Sequence, residues 1–502
     1  MTRVHIELQR LQTWLFTVPR LRAMVGANTL LGEVLRVKLP ELARKNEEKW
    51  LLAPSAEAYP SADQHDPLKQ HDDPLNDARV GILARDGGHF EAQFVKGAEA
   101  FATVARQLLH RELPGLRFRI SIDGVEYDQS HVQLPTELPV LAPCEWTGRS
   151  LASKIIEQGD ERHLVSRDVA RRHEAAKRAE DGAAKDLATL LSMRTKLNSL
   201  ERPQELKDLV GSGYLGLIYA DGNGVGAGVG TTDSERAAFF HRNRVLLRRA
   251  LRKAIDVHCP DSGQAPLILL MLGGDDLLLV CRADMALPFV VTLCEELAGL
   301  QREHINNGFE LTLGVGVVVA KHTIPIYRLH EIAEQLASSA KRRFRALRDA
   351  GKKAGSVVDW AVYTTAWVDD PEEFRRRHWL RGQGQDRRVL SQRPVDVLGD
   401  GLHTLQGLVE GAKKLQGAPR SQLRYLIDQL ARGRTLTELA FAELSKEART
   451  ALDEVGVKAP WRRASNNGLW LTELLDLVEI AEIGRLGRNV EAGQPATEAA
   501  HG

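Results

Sequence analysis

The 502-residue sequence predicts an α+β protein with two αβ domains, a helical linker and a helical C-terminal domain. Three patterns lead to this fold class. Residues 210–370 alternate between strand and helix periodicity in the order β-α-β-β-α-β, followed by an extra helix and strand, which is the ferredoxin-like arrangement of polymerase palms. Residues 1–143 contain a shorter αβ pattern. From residue 371 to 487, only helix-period segments occur, which indicates a helical bundle.

The first domain opens with an alternating strand from Val4 and a helical pattern that reaches Lys38. Residues 53–78 are rich in Pro, Asp, His and Ala, which predicts an exposed loop. Strand patterns follow at 80–83, 89–94 and 116–122, with a helical pattern at 98–111.

The predicted linker spans residues 144–209, and its segment 169–200 is dominated by Ala, Arg, Lys, Glu and Leu. This composition favours a long charged helix or a helical hairpin. The four cysteines, at positions 144, 259, 281 and 294, lack C-x-x-C spacing, so neither a zinc ribbon nor a disulfide framework is expected.

In the C-terminal domain, helical patterns occur at 397–415, 421–430 and 435–454, and residues 488–502 are predicted to be a disordered tail. Lys and Arg number 68 against 67 Asp and Glu, so the overall charge does not by itself point to a nucleic-acid partner. No apolar run approaches the ~20 residues that a membrane helix needs. We therefore expect a cytoplasmic protein that does not enter a membrane.

Three aspartates are the candidate catalytic residues. Asp221 directly follows the strand pattern 214–220, and Asp275 and Asp276 lie at the tip of a predicted hairpin behind Gly273 and Gly274. In a ferredoxin-like sheet, the first strand and the hairpin are neighbours. We therefore expect the three carboxylates to converge on one place.

Converging carboxylates repel one another unless cations neutralise them, and their hard oxygens suit Mg²⁺ or Mn²⁺. Two such ions would activate an attacking hydroxyl and stabilise a departing pyrophosphate, which is nucleotidyl-transfer chemistry. The predicted metal site consists of Asp221, Gly222, Asp275 and Asp276. The glycine-rich turn after Asp221 would bind phosphates through its backbone, and the predicted nucleotide-binding residues are Gly222, Asn223, Gly224, Gly226, Gly273, Gly274, Ser339 and Lys341.

These motifs allow other interpretations. Gly-Gly-Asp-Asp also suits an ordinary surface turn, but both flanking segments are almost continuously apolar, as buried central strands are. The Gly222-x-Gly224-x-x-Ala227 pattern resembles a dinucleotide-binding turn, although a long helix stands where the second parallel strand would be. Lys341 also fits a solvated helix lysine. The His65-Asp66 and His71-Asp72 pairs invite a metal-phosphohydrolase interpretation, but they lie in a Pro- and Asp-rich segment.

Taken together, the motifs resemble the large polymerase/cyclase subunit of type III CRISPR-Cas effector complexes, whose palm is related to GGDEF cyclases. The resemblance rests on the following segments: Ile218-Tyr219-Ala220-Asp221-Gly222-Asn223, Gly273-Gly274-Asp275-Asp276, Ile324-Pro325-Ile326-Tyr327, Ser339-Ala340-Lys341, Val358-Asp359-Trp360, Gln392-Arg393-Pro394 and Pro419-Arg420-Ser421-Gln422-Leu423. Near the start, the segment from Leu21 to Leu31 resembles the opening of that family's first palm, and Asp86-Gly87-Gly88 stands where an active palm has its acidic hairpin.

The resemblance implies two ferredoxin-like palm domains, the first degenerate and the second catalytic. It also implies conversion of ATP, with Mg²⁺ or Mn²⁺, into cyclic oligoadenylates that activate an effector in antiviral defence. Lys341 would contact the triphosphate. We expect two departures from the family: a form without the histidine-aspartate nuclease domain before the first palm, and a zinc knuckle reduced to one cysteine, Cys144.

Two alternatives to this function remain. One is a scaffold subunit of an RNA-guided complex that binds protein or RNA partners through the helical bundle, with little catalysis. The other is a cyclic dinucleotide synthase of the diguanylate type, although those domains work as pairs of chains and this chain carries a second palm of its own.

Overall fold

The computed structural model describes residues 1–45, 48–127, 142–148, 150–158, 161–303, 309–363, 370–464 and 468–486. The predicted tail at 488–502 lies outside these residues. Contacts divide the chain into two compact units. Unit 1 comprises Met1–Glu205, Gly224–Ala265 and Leu269–Leu278, and unit 2 comprises Leu206–Asn223, Pro266–Ile268 and Leu279–Gly502.

The first sheet and its helices occupy the N-terminal part of unit 1. The elements are β1 (Thr2–Gln9), α1 (Leu11–Leu15), α2 (Leu21–Glu33), the π-helical turn Val34–Lys38, α3 (Leu39–Arg44), β2 (Leu51–Leu52), α4 (Pro74–Arg79), β3 (Ile82–Ala84), β4 (His89–Lys96), α5 (Ala98–Glu112), β5 (Arg117–Ile122) and β6 (Val125–Glu126). The strand order is β2-β4-β1-β5-β6, with β3 also paired to β4. The strands and the helix predicted between residues 80 and 122 are confirmed.

Alternation of buried and more exposed side chains along β1 places its apolar residues in the core of the first sheet. Val4, Ile6 and Leu8 are buried on one face, as the period of two along a strand requires. The predicted exposed loop at 53–78 was wrong in part, because Leu68 and the carboxylates of Asp66 and Asp72 are buried. These buried aspartates form ion pairs with arginine, while other polar residues of the segment, such as Gln64 and His65, are exposed as predicted.

The segment after residue 143 is also different from the prediction. It contains β7 (Lys154–Gln158), β8 (Glu161–Val165), α6 (Arg167–Glu180), α7 (Leu187–Ser192), the 3₁₀ turn Lys196–Ser199 and α8 (Leu206–Val210). The predicted long helix or helical hairpin over 169–200 was therefore wrong. Helix α6 ends where Gly182 adopts a φ of +71°, and the carboxylate of Asp186 caps a new helix by accepting from the Thr189 N–H.

The second sheet follows the predicted order of elements. These are β9 (Tyr214–Gly222), the 3₁₀ turn Val225–Gly228, α9 (Asp233–His258), β10 (Leu267–Gly273), β11 (Asp276–Arg282), α10 (Ala283–Glu303), β12 (Leu313–Lys321), α11 (Ile326–Asp349) and β13 (Val357–Tyr363). The β-α-β-β-α-β order is confirmed. The strand order of this sheet is β10-β11-β9-β12-β13-β16. Its first four strands, β10-β11-β9-β12, repeat the order β3-β4-β1-β5 of the first sheet.

The C-terminal part of unit 2 is mainly helical. It contains α12 (Pro371–His378), β14 (Leu380–Arg381), the 3₁₀ turn Gly384–Asp386, β15 (Arg388–Val389), β16 (Val395–Asp396), α13 (Leu405–Lys414), the 3₁₀ turn Leu415–Gly417, α14 (Arg420–Arg432), α15 (Arg434–Ala442), α16 (Lys446–Glu454), β17 (Arg462–Arg463), β18 (Trp470–Leu471) and α17 (Leu474–Leu486). The prediction of helices alone was wrong, because β14, β15, β18 and β17 form a small sheet. Two-residue strands are too short to leave a periodic pattern.

Buried ion pairs fix unit 2 around Arg393. Its guanidinium lies 4.5 Å from the ring centre of Trp360 and 4.4 Å from that of Trp379. It also lies 2.9 Å from the carboxylate of Asp476, which belongs to α17. None of the helices among the described residues is long and apolar enough to cross a membrane.

Candidate functional site

Asp221 is the second-last residue of β9, and its carboxylate accepts a hydrogen bond from the Lys341 ammonium group on α11. Both side chains are about a quarter exposed, at 28% and 27%. Neither charge is fully desolvated, so a ligand from solvent can reach the pair. An acid and a base from residues 120 positions apart thus meet at one end of the sheet.

Two glycines of β12 make this pairing sterically possible. Gly314 pairs with Asp221 across the sheet, and a Cβ at Gly314 would lie 2.6 Å from Lys341 Cγ. A Cβ at Gly316 would lie 2.0 Å from the Ala333 carbonyl oxygen. Their missing side chains let α11 lie directly against β12 and bring Lys341 to Asp221. Neither glycine was predicted as a site residue, although glycine inside a buried strand is itself a sign of close approach.

The glycine-rich loop after Asp221 begins from an anchored residue. Asn223 is buried, its N–H donates to the Thr312 carbonyl at 2.7 Å, and its side-chain amide donates to the Thr312 hydroxyl at 3.2 Å. Gly222 is the buried last residue of β9, and Gly224 adopts a φ of +64°. A Cβ at Gly226 would meet no atom within 4 Å, so this part of the loop is open to a ligand. Ser339 is buried on α11.

The Gly-Gly-Asp-Asp segment forms the predicted hairpin. Gly273 ends β10, Gly274 and Asp275 make the turn, and Asp276 begins β11. Only Gly274 adopts the left-handed conformation, with a φ of +51°. Glycine is therefore required in the turn at position 274, because side chains other than glycine rarely adopt a positive φ.

A cavity of about 240 Å³ lies within unit 1 beside this hairpin. Met271, Leu272, Gly273 and Asp276 line one side of the cavity. The remaining lining residues come from the first 187 residues and are Leu8, Arg10, Leu11, Gln12, Asn28, Leu31, Gly32, Leu35, Arg36, Arg85, Asp86, Gly87, Gly88, Asp186 and Leu187. One group of these residues is apolar, and another contains Arg36, Arg85 and Asp86, whose charges take part in ion pairs.

Asp86, which stands in the corresponding turn of the first sheet, is held by arginines. Its carboxylate lies 3.3 Å from the Arg36 guanidinium and 2.9 Å from that of Arg244. Since Arg36 and Arg244 are themselves buried or nearly so, the charge of Asp86 is neutralised within the protein. The turn at Asp86 therefore contains one aspartate that forms internal ion pairs, whereas the turn of the second hairpin contains the two aspartates Asp275 and Asp276.

The arginines around Asp86 belong to a larger buried network. Asp72 lies 3.0 Å from Arg36 and 2.9 Å from Arg85, and it also pairs with Arg248 of α9. Burial alone would raise the pKa of Asp72, but these guanidinium groups outweigh burial and hold the pKa well below its usual range. Arg248 further contacts Asp66 at 2.9 Å. Through Arg244 and Arg248, this network joins α9 to the N-terminal part of unit 1.

Metal binding by the three aspartates stays a prediction. Across the described ranges, no group of three or more His, Cys, Asp and Glu side chains is arranged to hold a metal ion. The donor chemistry nevertheless suits a hard divalent cation, since the predicted ligands are three carboxylates and the backbone carbonyl of Gly222, and Asp221 already attracts a cationic group, Lys341. The His-Asp pairs at 65–66 and 71–72 are explained otherwise, because both aspartates pair with Arg248.

Comparison with known proteins identifies part of the chain. Residues 214–350 match the family model described as Cas10/Cmr2, second palm domain. No curated protein matches the sequence. The fold resembles a Csm1-Csm4 cassette crystallised in complex with pppApApA, at 14% identity and a TM-score of 0.47, over 96% of this chain and 69% of that chain. It also resembles Csm1 of T. onnurineus, at 12% identity and a TM-score of 0.46, over 91% and 64% of the two chains.

The chain therefore contains a palm domain. Its residues 214–350, which match the second palm domain of Cas10/Cmr2, contain Asp221, Lys341 and the Gly273–Asp276 hairpin.

Proposed function

We propose that this chain is a metal-dependent nucleotidyltransferase that converts ATP into cyclic oligoadenylate second messengers, as a subunit of a type III CRISPR-like antiviral complex. The observation that carries this proposal is the acidic hairpin of a Cas10/Cmr2-type palm domain, in a chain whose Asp221, the second-last residue of β9, accepts a hydrogen bond from Lys341. The solved Csm1-Csm4 cassettes include complexes with cA4 and with one ATP, which makes adenine nucleotides the first candidates.

The proposed reaction joins two nucleotides. The 3′-hydroxyl oxygen of one forms a bond to the α-phosphorus of the other, the bond to pyrophosphate breaks, and the hydroxyl proton passes to solvent. Asp221, Asp275 and Asp276, with Gly222 beside them, would hold Mg²⁺ or Mn²⁺. The bound cation would lower the pKa of the attacking hydroxyl and stabilise the negative charge on the departing pyrophosphate. Ring closure requires the same bond to form within one oligomer.

The residues around the acids have distinct roles in this proposal. The open backbone at Gly224 and Gly226 would donate N–H groups to phosphate oxygens, while Asn223 holds the start of the loop to Thr312. Lys341 would exchange its contact with Asp221 for a contact with the triphosphate once a divalent cation neutralises the carboxylate. Gly273 and Gly274 would keep the hairpin narrow beside the nucleotide.

The test is product analysis with purified protein. We would incubate it with each ribonucleoside triphosphate and Mn²⁺ or Mg²⁺, with and without candidate RNA, and identify products by mass spectrometry. The double variant Asp275→Asn/Asp276→Asn should lose the product, because it removes both charges at nearly constant volume. Asp261→Ala removes an exposed acid from the same chain and should leave product formation unchanged.

Two outcomes would change the conclusion. No product from any triphosphate would favour a scaffold subunit, for which the exposed Tyr425, Leu436 and Leu439 on α14 and α15 provide an apolar surface. A cyclic dinucleotide as the sole product would favour the dinucleotide synthase. A product that survives the double substitution would remove the assignment of Asp275 and Asp276.

A further inference from the structure

One face of the first sheet contains the same short pattern twice. His5-Ile6-Glu7 lies on β1, and His89-Phe90-Glu91 lies on β4. Because successive side chains of a strand point to opposite faces, Ile6 and Phe90 enter the core while the two histidines and two glutamates share the other face, where they are partly or fully exposed. Imidazoles and carboxylates are both common metal ligands in proteins. This face therefore has four potential ligands on two neighbouring strands.

The antiparallel register arranges these four residues as a square. β1 and β4 pair so that His5 stands opposite Glu91 and Glu7 stands opposite His89. Opposite and diagonal neighbours on one face of a sheet lie about 4.5–8 Å apart, so all four side chains are within reach of one another. The two histidines occupy one diagonal of the square, and the two glutamates occupy the other.

The two imidazoles already meet across their diagonal. His5 Nε2 and His89 Nδ1 are 3.1 Å apart, and the two ring planes differ by 8°. Two imidazole nitrogens that bind one tetrahedral Zn²⁺ at ~2.0–2.1 Å lie roughly 3.3–3.4 Å from each other. The observed separation is therefore close to that of two ligands on one cation, and rotation of the rings would direct both lone pairs at the same point.

The contact between the rings requires at least one neutral imidazole, because one nitrogen must accept the proton that the other donates. When a cation takes the place of this proton, the proton moves to the outer nitrogen of the same ring, so both imidazoles stay neutral. Burial, together with the neighbouring His5, lowers the pKa of His89 and favours its neutral form. The pair is thus chemically suited to bind a metal ion at neutral pH.

Glu7 is the third ligand that this face offers. Glu91 is engaged by Arg3 at 3.1 Å. Arg119 stands opposite Glu7 on β5, but its guanidinium pairs with Glu126 at 3.0 Å, and Glu7 forms no ion pair with any residue that the structure describes. No three ligands are already together in the described part of the chain, so Glu7 must turn toward the imidazoles when a cation binds.

We propose that His5, His89 and Glu7 bind a divalent first-row transition cation such as Zn²⁺. Two imidazole nitrogens and one carboxylate oxygen leave a fourth position for water, which is a ligand set of open zinc sites. Imidazole ligands suit Zn²⁺ and Cu²⁺, whereas carboxylate and carbonyl ligands suit Mg²⁺ and Mn²⁺. The site therefore differs in chemistry from the three aspartates of the palm domain, and its cation would join β1 to β4.

The test is a zinc titration of the full chain after treatment with a chelator. Isothermal titration calorimetry uses Asp275→Asn/Asp276→Asn as the reference protein, so that the acids of the palm hairpin do not contribute. We expect the reference protein to bind one Zn²⁺. Adding His5→Gln or His89→Gln should weaken binding by roughly a hundredfold or more, because even changes outside the ligand set cost ~10–100-fold in metal affinity.

Three further variants test the third ligand and the specificity of binding. Glu7→Gln should weaken Zn²⁺ binding by at least about tenfold. Glu91→Gln should have a much smaller effect, because Arg3 already engages that carboxylate. His65→Ala removes an exposed histidine elsewhere in unit 1 and should leave the affinity unchanged. Circular dichroism without metal confirms that each variant is folded.

Two other measurements report the site without relying on heat changes. Electron paramagnetic resonance of bound Cu²⁺ counts the coordinating nitrogens, and we expect two in the reference protein and one in each histidine variant. Excess Zn²⁺ should also raise the urea midpoint of the reference protein, because a ligand that binds only the folded state stabilises it. The histidine variants should show no such increase.

Every result of the titration decides the site. No Zn²⁺ binding to the reference protein, or an unchanged affinity in His5→Gln or His89→Gln, overturns the proposal. An equal loss in all variants, His65→Ala included, shows adventitious binding only and also overturns it. Loss in the histidine variants with none in Glu7→Gln overturns Glu7 as a ligand. These outcomes are independent of the proposed nucleotidyl transfer, since no nucleotide is present.

Discussion

The Lys341 ammonium group on α11 contacts the carboxylate of Asp221 at the end of β9. The contact joins a basic residue to an acid that the sequence marks as a metal ligand. It requires the glycine at position 314, which pairs with Asp221 across the sheet and leaves space for the stem of the lysine. The two residues therefore form one electrostatic unit in the palm domain.

Replacement of Lys341 by Met should lower kcat/KM for ATP by roughly tenfold to a hundredfold. The reason is the loss of a charge-assisted hydrogen bond to the triphosphate, worth about 1.5–3 kcal/mol. Initial rates at several ATP concentrations measure the effect. The control is Arg345→Met, which removes an exposed cation one turn further along α11. A change of less than twofold in Lys341→Met would show that the lysine takes no part in substrate binding or turnover.

Replacement of Gly316 by Ala should destabilise the palm domain by about 1–3 kcal/mol. The new methyl group would lie 2.0 Å from the Ala333 carbonyl oxygen, so α11 must move away from β12. Urea unfolding followed by circular dichroism measures the change.

The matched control for Gly316 is Gly299→Ala on α10, where a Cβ would meet no atom within 4 Å. There the substitution should be neutral or stabilising by about 0.5–1 kcal/mol, because alanine has the higher helix propensity. Equal effects of the two substitutions would contradict the steric explanation.

Replacement of Arg248 by Met should cost about 3–5 kcal/mol of unfolding free energy, because it removes the buried cation paired with Asp66 and one of the three arginines paired with Asp72. Arg252→Met, one turn further along the same helix, removes an arginine that is 51% exposed and 3.9 Å from Asp256. Its effect should stay below about 1 kcal/mol. Similar losses from both variants, compared by urea unfolding, would argue against the buried network.

Stability should fall as pH decreases from about 6.5 to about 4, in part through His330. Burial lowers the pKa of His330 to about 4, whereas an unfolded histidine titrates near ~6.5. In this window the unfolded chain binds a proton that the folded chain does not, so unfolding becomes easier at lower pH, by up to about 3 kcal/mol.

The contribution of His330 is isolated by substitution. His330→Leu should make the unfolding free energy less dependent on pH between 6.5 and 4, while the exposed His65→Leu serves as the control. Urea unfolding at pH 7.5, 6, 5 and 4.5 provides the comparison. An unchanged pH dependence in His330→Leu would contradict a depressed pKa at this position.

Much of the second sheet could be predicted from the sequence. The apolar runs before Asp221 and on both sides of Gly273–Asp276 are long enough to show strand periodicity, and helices α9, α10 and α11 have clear helical patterns. The two-residue strands β14, β15, β17 and β18 were missed because so few residues carry no period. The break between α6 and α7 was missed although Asp181-Gly182 is a local turn signal, because the composition of the whole segment 169–200 favours helix.

The sequence by itself determined the order of strands and helices in the palm domain and the positions of Asp221, Asp275 and Asp276 at strand ends, because these depend on local periodicity and turn chemistry. Only the tertiary structure decided that Lys341 is the partner of Asp221, that Asp66 and Asp72 are buried against Arg248, and that Asn28 donates to Asp186. Each of these contacts joins residues more than 100 positions apart, and such pairs leave no signal in the local pattern of a single sequence.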